Sequence, residues 1–440
     1  MTPIKNKLFF HLLGNTILCS VANNFIWFAL VFWVYLETKS IMVTSFIGGL
    51  YLFAVLISGI FFGAVVDHNK KKNVMIGSTG VSLLFFIISA IIFFSFPLEI
   101  FTKSNSILLW LLIIAIMFGV IIGNIRMITM STMMTLLFDD NNRDKANGVL
   151  GIANGLAFGI VSVFSGLTIG FLGMGWAIII TIIASLLGIF HLLFLNFPKE
   201  DFSHQKEEGG KKIDLIGTIK VISGISGLFG LIFFSMFNNF LGGVFMSLMD
   251  PYGLSLVSVE IWGFIWGFLS FGFIVGGLLI SKWGVGKNPV KTLLLINVIM
   301  WIVCIFFTSI SSIVLTTIGL FIFMILHPYI EATEQTILQK VVPYNRQGRV
   351  FGFSQSVEQI ASPLTAFFIG PITELIVVPF MNSQTGMNIF LNWFGTTQDR
   401  AIAIVFSVAG LIGLIITLLA FLSKSYKNLS KEYKIETKKN

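Results

Sequence analysis

Residues 198–216 read PKEDFSHQKEEGGKKIDLI, the one long polar stretch in the middle of a chain otherwise built from apolar runs. Its acidic and basic residues nearly balance, as in a solvated linker. On either side the sequence returns to long apolar runs, and roughly 20 such residues are enough to cross a hydrocarbon layer as helix. Six spans precede the linker, near 8–36, 41–66, 74–97, 106–138, 145–171 and 173–197. Six follow it, near 217–250, 256–282, 290–311, 312–340, 346–378 and 399–424. Composition agrees: the 440 residues are 56% hydrophobic and 11% charged, with mean hydropathy +0.93, a balance that soluble domains do not have. The chain reads as an all-α integral membrane protein with one bundle over 1–197, a linker over 198–216, and a second bundle over 217–440 ending in a short basic tail. Spans 5 and 6 are separated at Leu172-Gly173, because Gly170, Gly173 and Gly175 let the chain turn there.

Charge tests this count, because Lys and Arg gather in alternate loops on the cytoplasmic side of a membrane protein. With both termini inside, all but four of the 28 basic residues fall on inner segments; Lys39, Lys103 and Arg400 are placed in outer loops and Arg126 lies within span 4. The net charge of +8 therefore reports topology and contact with anionic lipid, and nothing in it points to nucleic acid. The expected location is the cell membrane, multi-pass, with N- and C-termini cytoplasmic. Cys19 and Cys304 both fall inside spans, which leaves no disulfide framework and no zinc-ligand spacing. Span 1 is too long for a signal-peptide core and no small-residue cleavage pattern follows it, so it is expected to stay in the mature protein.

The two halves repeat one another. Span 1 carries Asn23-Asn24-Phe25 and span 7 carries Asn238-Asn239-Phe240. The end of span 2 carries Gly63, Asp67, Lys71 and Lys72, and the end of span 8 repeats the layout with Gly277, Ser281, Lys282 and Lys287. Span 5 opens with Gly148 and reaches Ser162; span 11 opens with Gly348 and reaches Ser362-Pro363 at the same spacing. Three pairs in register argue for a six-span repeat, and repeats joined by a polar loop suggest two bundles around a central path that opens to each side in turn. Gly151, Gly155, Gly159, Gly166 and Gly170 give span 5 a small-residue face for close helix packing or for gating.

At Gly63-Ala-Val-Val-Asp67-His68-Asn-Lys70-Lys71-Lys72 the sequence resembles the signature loop between helices 2 and 3 of major facilitator transporters. With Val341-Val-Pro-Tyr-Asn-Arg346-Gln-Gly348-Arg349 it is similar to the macrolide-efflux branch of the drug:proton antiporters. The resemblance implies the major facilitator fold, 12 transmembrane helices in two six-helix bundles. It also implies an inner gate in which Asp67, with Gly63, Lys71 and Lys72, engages the start of span 11 near Arg346 and Arg349; an anion gains about 0.3–1 kcal/mol beside a helix N-terminus. The chain departs from the family pattern at His68, at Val163 in span 5 and at Gly119 in span 4.

Ionisable groups within spans are costly and usually face a cavity or a partner. Arg126 lies roughly 18 Å along the helix from the inner end of span 4 by the 1.5 Å rise per residue, and its counterpart in the repeat is His327. From there span 10 places His327, Glu331 and Glu334 at i, i+4 and i+7 on one face, and Pro328 can bend the helix where that stripe begins. Span 11 adds Gln355, Glu358 and Gln359. In the functional reading Glu358 and Glu331 exchange protons with a cavity under the influence of Arg126, and His327 and Glu334 complete the proton-coupling candidates. In the plain structural reading Arg126 and Glu331 form a static gate pair and Glu334 snorkels to the inner surface. His191 reads as a lone satisfied histidine. Asn23, Asn24, Asn238, Asn239, Gln355 and Gln359 are the neutral polar residues for a substrate cavity, and the excess of acids over Arg126 favours cationic amphiphiles.

The expected function is export of amphiphilic drugs or toxic metabolites by proton antiport, by a monomer in contact with membrane lipid, with no cofactor or metal. A proton-independent facilitator of a metabolite or lipid is the nearest alternative. A membrane-embedded enzyme is remote, since the sequence has no HExxH, no GxSxG and no His/Asp cluster.

Overall fold

A computed structural model describes residues 3–137, 157–197, 215–342, 347–391 and 394–439. The main helices are α1 (Pro3–Thr38), α2 (Ile41–His68), α3 (Lys71–Ser95), α4 (Ile107–Gly123), α5 (Ile125–Leu137), α6 (Ala157–Phe171), α7 (Met174–Leu193), α8 (Leu215–Gly224) and α9 (Leu228–Leu256). They continue with α10 (Val259–Trp283), α11 (Pro289–Phe306), α12 (Ile313–Val341), α13 (Gln347–Ile372), α14 (Val378–Asn382), α15 (Gln384–Phe390), α16 (Gln398–Leu422) and α17 (Lys424–Lys439). Among the described residues there is no strand, and eleven helices are long and apolar enough to cross a membrane. The twelfth span is represented by α6, a shorter apolar helix before which residues 138–156 lie outside the described set.

Local chemistry sets several boundaries. The Ser40, Ser106 and Ser312 hydroxyls accept from the backbone N–H three residues on, opening α2, α4 and α12. Asn288 does the same for α11, with Pro289 at the first helical position. The turn between α6 and α7 falls at Gly173, whose φ of +80° suits glycine; the Leu172 and Gly173 N–H groups both return to the Thr168 carbonyl at 2.8 Å.

Three expected spans are subdivided. Span 4 breaks into α4 and α5 at Asn124, whose N–H bonds Ile121 O instead of the carbonyl four residues back. Span 7 breaks at Gly227 (φ +88°) into the short α8 and the spanning α9, and a side chain at Gly227 would strike the Ser425 carbonyl of α17. Span 11 continues beyond residue 378 through a π-helical turn, Thr373–Val377, and α14. The basic tail is itself a helix, α17, whose Leu429 is buried in one cluster with Ile232, Leu293, Ile337 and Leu338.

The described residues form two compact units. One is drawn from Met1–Val43, Tyr51–Gly210 and Val257–Ser270, the other from Thr44–Leu50, Lys211–Leu256 and Phe271–Asn440. In the first, Phe9, Leu12, Met75, Met130 and Met133 make an apolar core. Also in this unit, α6 meets the opening turns of α10 along glycines: a Cβ at Gly166 would lie 2.5 Å from Val259 O, and one at Gly263 would lie 2.6 Å from Ser162 O. The small-residue face expected on span 5 is therefore a close backbone contact, with Gly151 and Gly155 outside the described residues. In the second unit, Phe245 stacks on Phe406 at 4.9 Å beside Phe307 and Tyr252. Here residues 44–50 of α2 pack on α13, and a Cβ at Gly49 would stand 3.1 Å from the Phe367 backbone nitrogen.

Candidate functional site

The polar groups of the first unit are mostly tied to backbone. Lys71 is buried, and its ammonium donates to Val66 O at 2.6 Å in the last turn of α2. Lys72 donates to Leu193 O and Leu195 O at 3.0 and 2.7 Å, at the end of α7. Both lysines thus satisfy orphan carbonyls at the negative end of a helix dipole. Their expected gate partners Gly63, Asp67, Arg346 and Arg349 lie outside the residues whose side chains are described.

Arg126 is buried and reaches neutral groups: it donates to Asn15 Oδ1, to Thr79 Oγ1 and, at 3.4 Å, to Met75 O. Asn15 is held in turn, its amide donating to Gly188 O at 2.8 Å and standing 3.1 Å from His191 Nδ1. His191 stands 3.4 Å from the exposed His11. The histidine read as solitary is thus the middle of a chain, Arg126–Asn15–His191–His11, that ties α5, α1 and α7 together.

Asn23 is buried as well, and its role follows from the α4–α5 break. The break frees Val120 O from its helical partner, and the Asn23 amide donates to it at 2.8 Å. Asn23 also contacts Asn124 Oδ1 at 3.3 Å, and Asn124 donates to the Tyr51 hydroxyl, whose ring stacks on Trp27 at 4.1 Å. A side chain at Gly123 would meet Asn23 Oδ1 at 2.5 Å. Asn23 therefore works as a clamp on a bent helix, whereas its neighbour Asn24 is half-buried. Asn23→Ala should cost about 1–3 kcal/mol, because it leaves a buried carbonyl without a donor. Thermal unfolding in detergent checks this: the Asn23→Ala midpoint should drop by several degrees and the Asn24→Ala midpoint should barely move.

The second unit gathers the acids. Glu334 of α12, a proton-coupling candidate that the plain structural reading sends to the inner surface, is buried at 9% exposure. Its neighbours are Ser235 of α9 and Glu358 of α13, with the Glu331 charge further off. One Glu334 oxygen, Oε1, has no hydrogen-bond partner. Glu358 is half-buried and accepts from the buried Ser354 hydroxyl one turn earlier. Among the described residues no cation pairs with either Glu334 or Glu358. Glu331, by contrast, is 68% exposed and its neighbour is His327 Nδ1 at 3.6 Å, so Glu331 meets a histidine on its own helix and Arg126 has neutral partners on its own unit. A sequence signal for Glu334 existed: it stands four and seven residues before Leu338 and Val341, both buried, and so shares their apolar face.

The remaining cavity residues divide. Trp301 donates its indole N–H to Asn238 Oδ1 at 3.2 Å, and Ser362 donates to the Asn239 backbone carbonyl at 3.0 Å, fastening α9 to α11 and α13. Gln355 and Gln359 are exposed on α13; polar side chains on a spanning helix belong to a surface that water reaches, because hydrocarbon does not solvate an amide. Arg400, the basic residue expected in an outer loop, is buried, donating to Phe394 O and Ser309 O at 2.7 Å and to Thr308 O at 3.0 Å beyond α11. Among the described residues no group of three His, Cys, Asp or Glu is placed to hold a metal.

Comparison with known proteins adds a family. The Major Facilitator Superfamily profile matches residues 12–366. No curated protein matches the sequence. Among solved structures, a bacterial homolog of the human lysosomal transporter Spinster, inward-facing and unoccupied, has 14% identity and a TM-score of 0.65, with 99% of each chain covered. The nucleoside transporter NupG has 14% identity and a TM-score of 0.66, covering 94% of this chain and 100% of its own. A D-xylose–proton symporter has 12% identity and a TM-score of 0.62, covering 92% and 97%. At such identities these structures speak for the fold, which they share over nearly the whole chain. With eleven helices long and apolar enough to cross a membrane among the described residues and a family profile over most of its length, the chain belongs to the major facilitator superfamily of membrane transporters.

Proposed function

We propose that this transporter exports amphiphilic, preferentially cationic compounds from the cell in exchange for protons, with Glu334 and Glu358 as the groups that take up and release the proton. The observation carrying this reading is the buried Glu334 beside half-buried Glu358, on two spanning helices and without a cationic partner among the described residues. Two carboxylates held together away from water repel one another, and a proton or a substrate cation relieves that repulsion. Either can therefore occupy the pair in turn, which is the requirement for exchange. Gln355, Gln359 and Glu331 add polar groups exposed on the same unit. Proton coupling is compatible with the fold, since one structural neighbour is a proton symporter.

The test uses inside-out vesicles carrying the protein and acidified within. They should accumulate an amphiphilic cation such as ethidium, and adding it should make the interior less acid. If uptake persists unchanged after nigericin collapses the pH gradient, the proton-independent facilitator replaces this reading.

A further inference from the structure

At one end of the first unit, where α1, α3 and α6 finish and α7 begins, lies a groove of about 520 Å³. That volume suits a small organic molecule. Trp33, Phe93, Phe94, Trp176 and Glu37 line it. Its floor is firm: Trp33 is buried and packs edge-on against Phe93 at 5.7 Å, and Phe93 meets Phe94 at 5.4 Å. Its rim is open, with Phe94 and Trp176 both more than half exposed. The turn at Gly173 forms part of the wall, and a side chain at Gly175 would press on Phe93 and Phe94 at 3.0–3.1 Å. The groove therefore exists because glycines hold the α6–α7 connection close to the backbone.

Glu37 gives this groove a sign. It is half-buried near the end of α1, and no side chain among the described residues pairs with it. A carboxylate among aromatic faces suits one kind of ligand: an organic cation with apolar substituents, whose charge is met by the acid and by the negative faces of indole and phenyl rings, and whose body fills the apolar remainder.

We propose that this groove is a second binding site, for amphiphilic organic cations that partition into the membrane interface, with Glu37 as counter-ion and Trp33, Trp176 and Phe94 as the aromatic faces. Trp176 and Phe94 stand at helix ends, where aromatic rings meet the headgroup region, so a ligand dissolved in the interface reaches the groove laterally. The site agrees with the substrate class proposed for the acid pair but shares no residue with it, so either can fail alone.

The probe is tetraphenylphosphonium, measured by equilibrium binding to purified protein in lipid nanodiscs. The background is the Glu334→Gln, Glu358→Gln double variant, which removes the acids of the second unit. This background should still bind the probe. Adding Glu37→Gln should weaken that binding about tenfold, and Trp176→Ala about fivefold; Glu37→Asp should stay within about threefold. In the same double-variant background the neutral triphenylphosphine oxide should bind about tenfold more weakly than the cation, a comparison made on one and the same protein. Loss of all binding in the double variant would overturn the second site. So would binding within about twofold after Glu37→Gln, or equal affinity for the neutral compound, which would leave a plain apolar surface.

Discussion

Glu334→Gln and Glu358→Gln are each expected to abolish substrate accumulation driven by an imposed pH gradient, while counterflow exchange of substrate without a gradient continues. Glutamine keeps the size and hydrogen-bonding capacity of the protonated acid but cannot release a proton, so a transporter locked in that state can cycle with substrate and cannot couple. Glu334 should be the more sensitive, because it is buried and its Oε1 has no hydrogen-bond partner. Glu358 should follow closely, since it faces Glu334 and takes its own hydrogen bond from Ser354. Glu331→Gln should be milder, as that residue is 68% exposed and already has His327 beside it. Because the acids interact, the double variant should lose little more than either single one. Full gradient-driven accumulation by both single variants would remove the pair from the coupling mechanism and return the choice to Glu331.

The second large effect is expected at Gly263. A methyl group there would lie 2.6 Å from Ser162 O and 3.1 Å from Gly166 Cα. Those atoms are backbone of α6 and cannot swing aside as a flexible side chain would. Valine must therefore push the two helices apart, at a cost of about 1–3 kcal/mol for overpacking plus the close packing lost along the rest of the contact. Gly263→Val should lower the thermal midpoint in detergent by several degrees and reduce transport at least about tenfold. Gly277 provides the control on the same helix, because a Cβ at that position meets nothing within 4 Å. Gly277→Val should leave the midpoint unchanged. Equal melting of the two variants would mean that the α6–α10 approach has room to give.

The sequence carried the membrane class and the superfamily. Those depend on properties that add along the chain: runs long enough for hydrocarbon, and a short motif at the end of one of them. The turn at Gly173 was legible for the same reason, since a glycine between two apolar runs has a local meaning. The breaks at Asn124 and Gly227 were not, because each depends on something distant. Asn23 takes the carbonyl that the first break frees, and the start of α17 fits against the second.

The functional residues divide in the same way. Their types and approximate depth were readable, because an ionisable side chain in an apolar run is conspicuous however the helices pack. Their partners were not. Lys71 and Lys72 lie in a family signature, yet both reach helix-end carbonyls. Arg126 was matched with an acid by charge, yet it binds Asn15 and Thr79. For Glu334 the sequence leaves both a coupling role and a snorkelling one open, because a long side chain near a helix end can reach water, and only the crossing of α9, α12 and α13 turns it inward towards Ser235 and Glu358. Periodicity fixes which face of a helix a side chain occupies; what stands opposite that face is decided by how the helices pack, and a single sequence does not encode that locally.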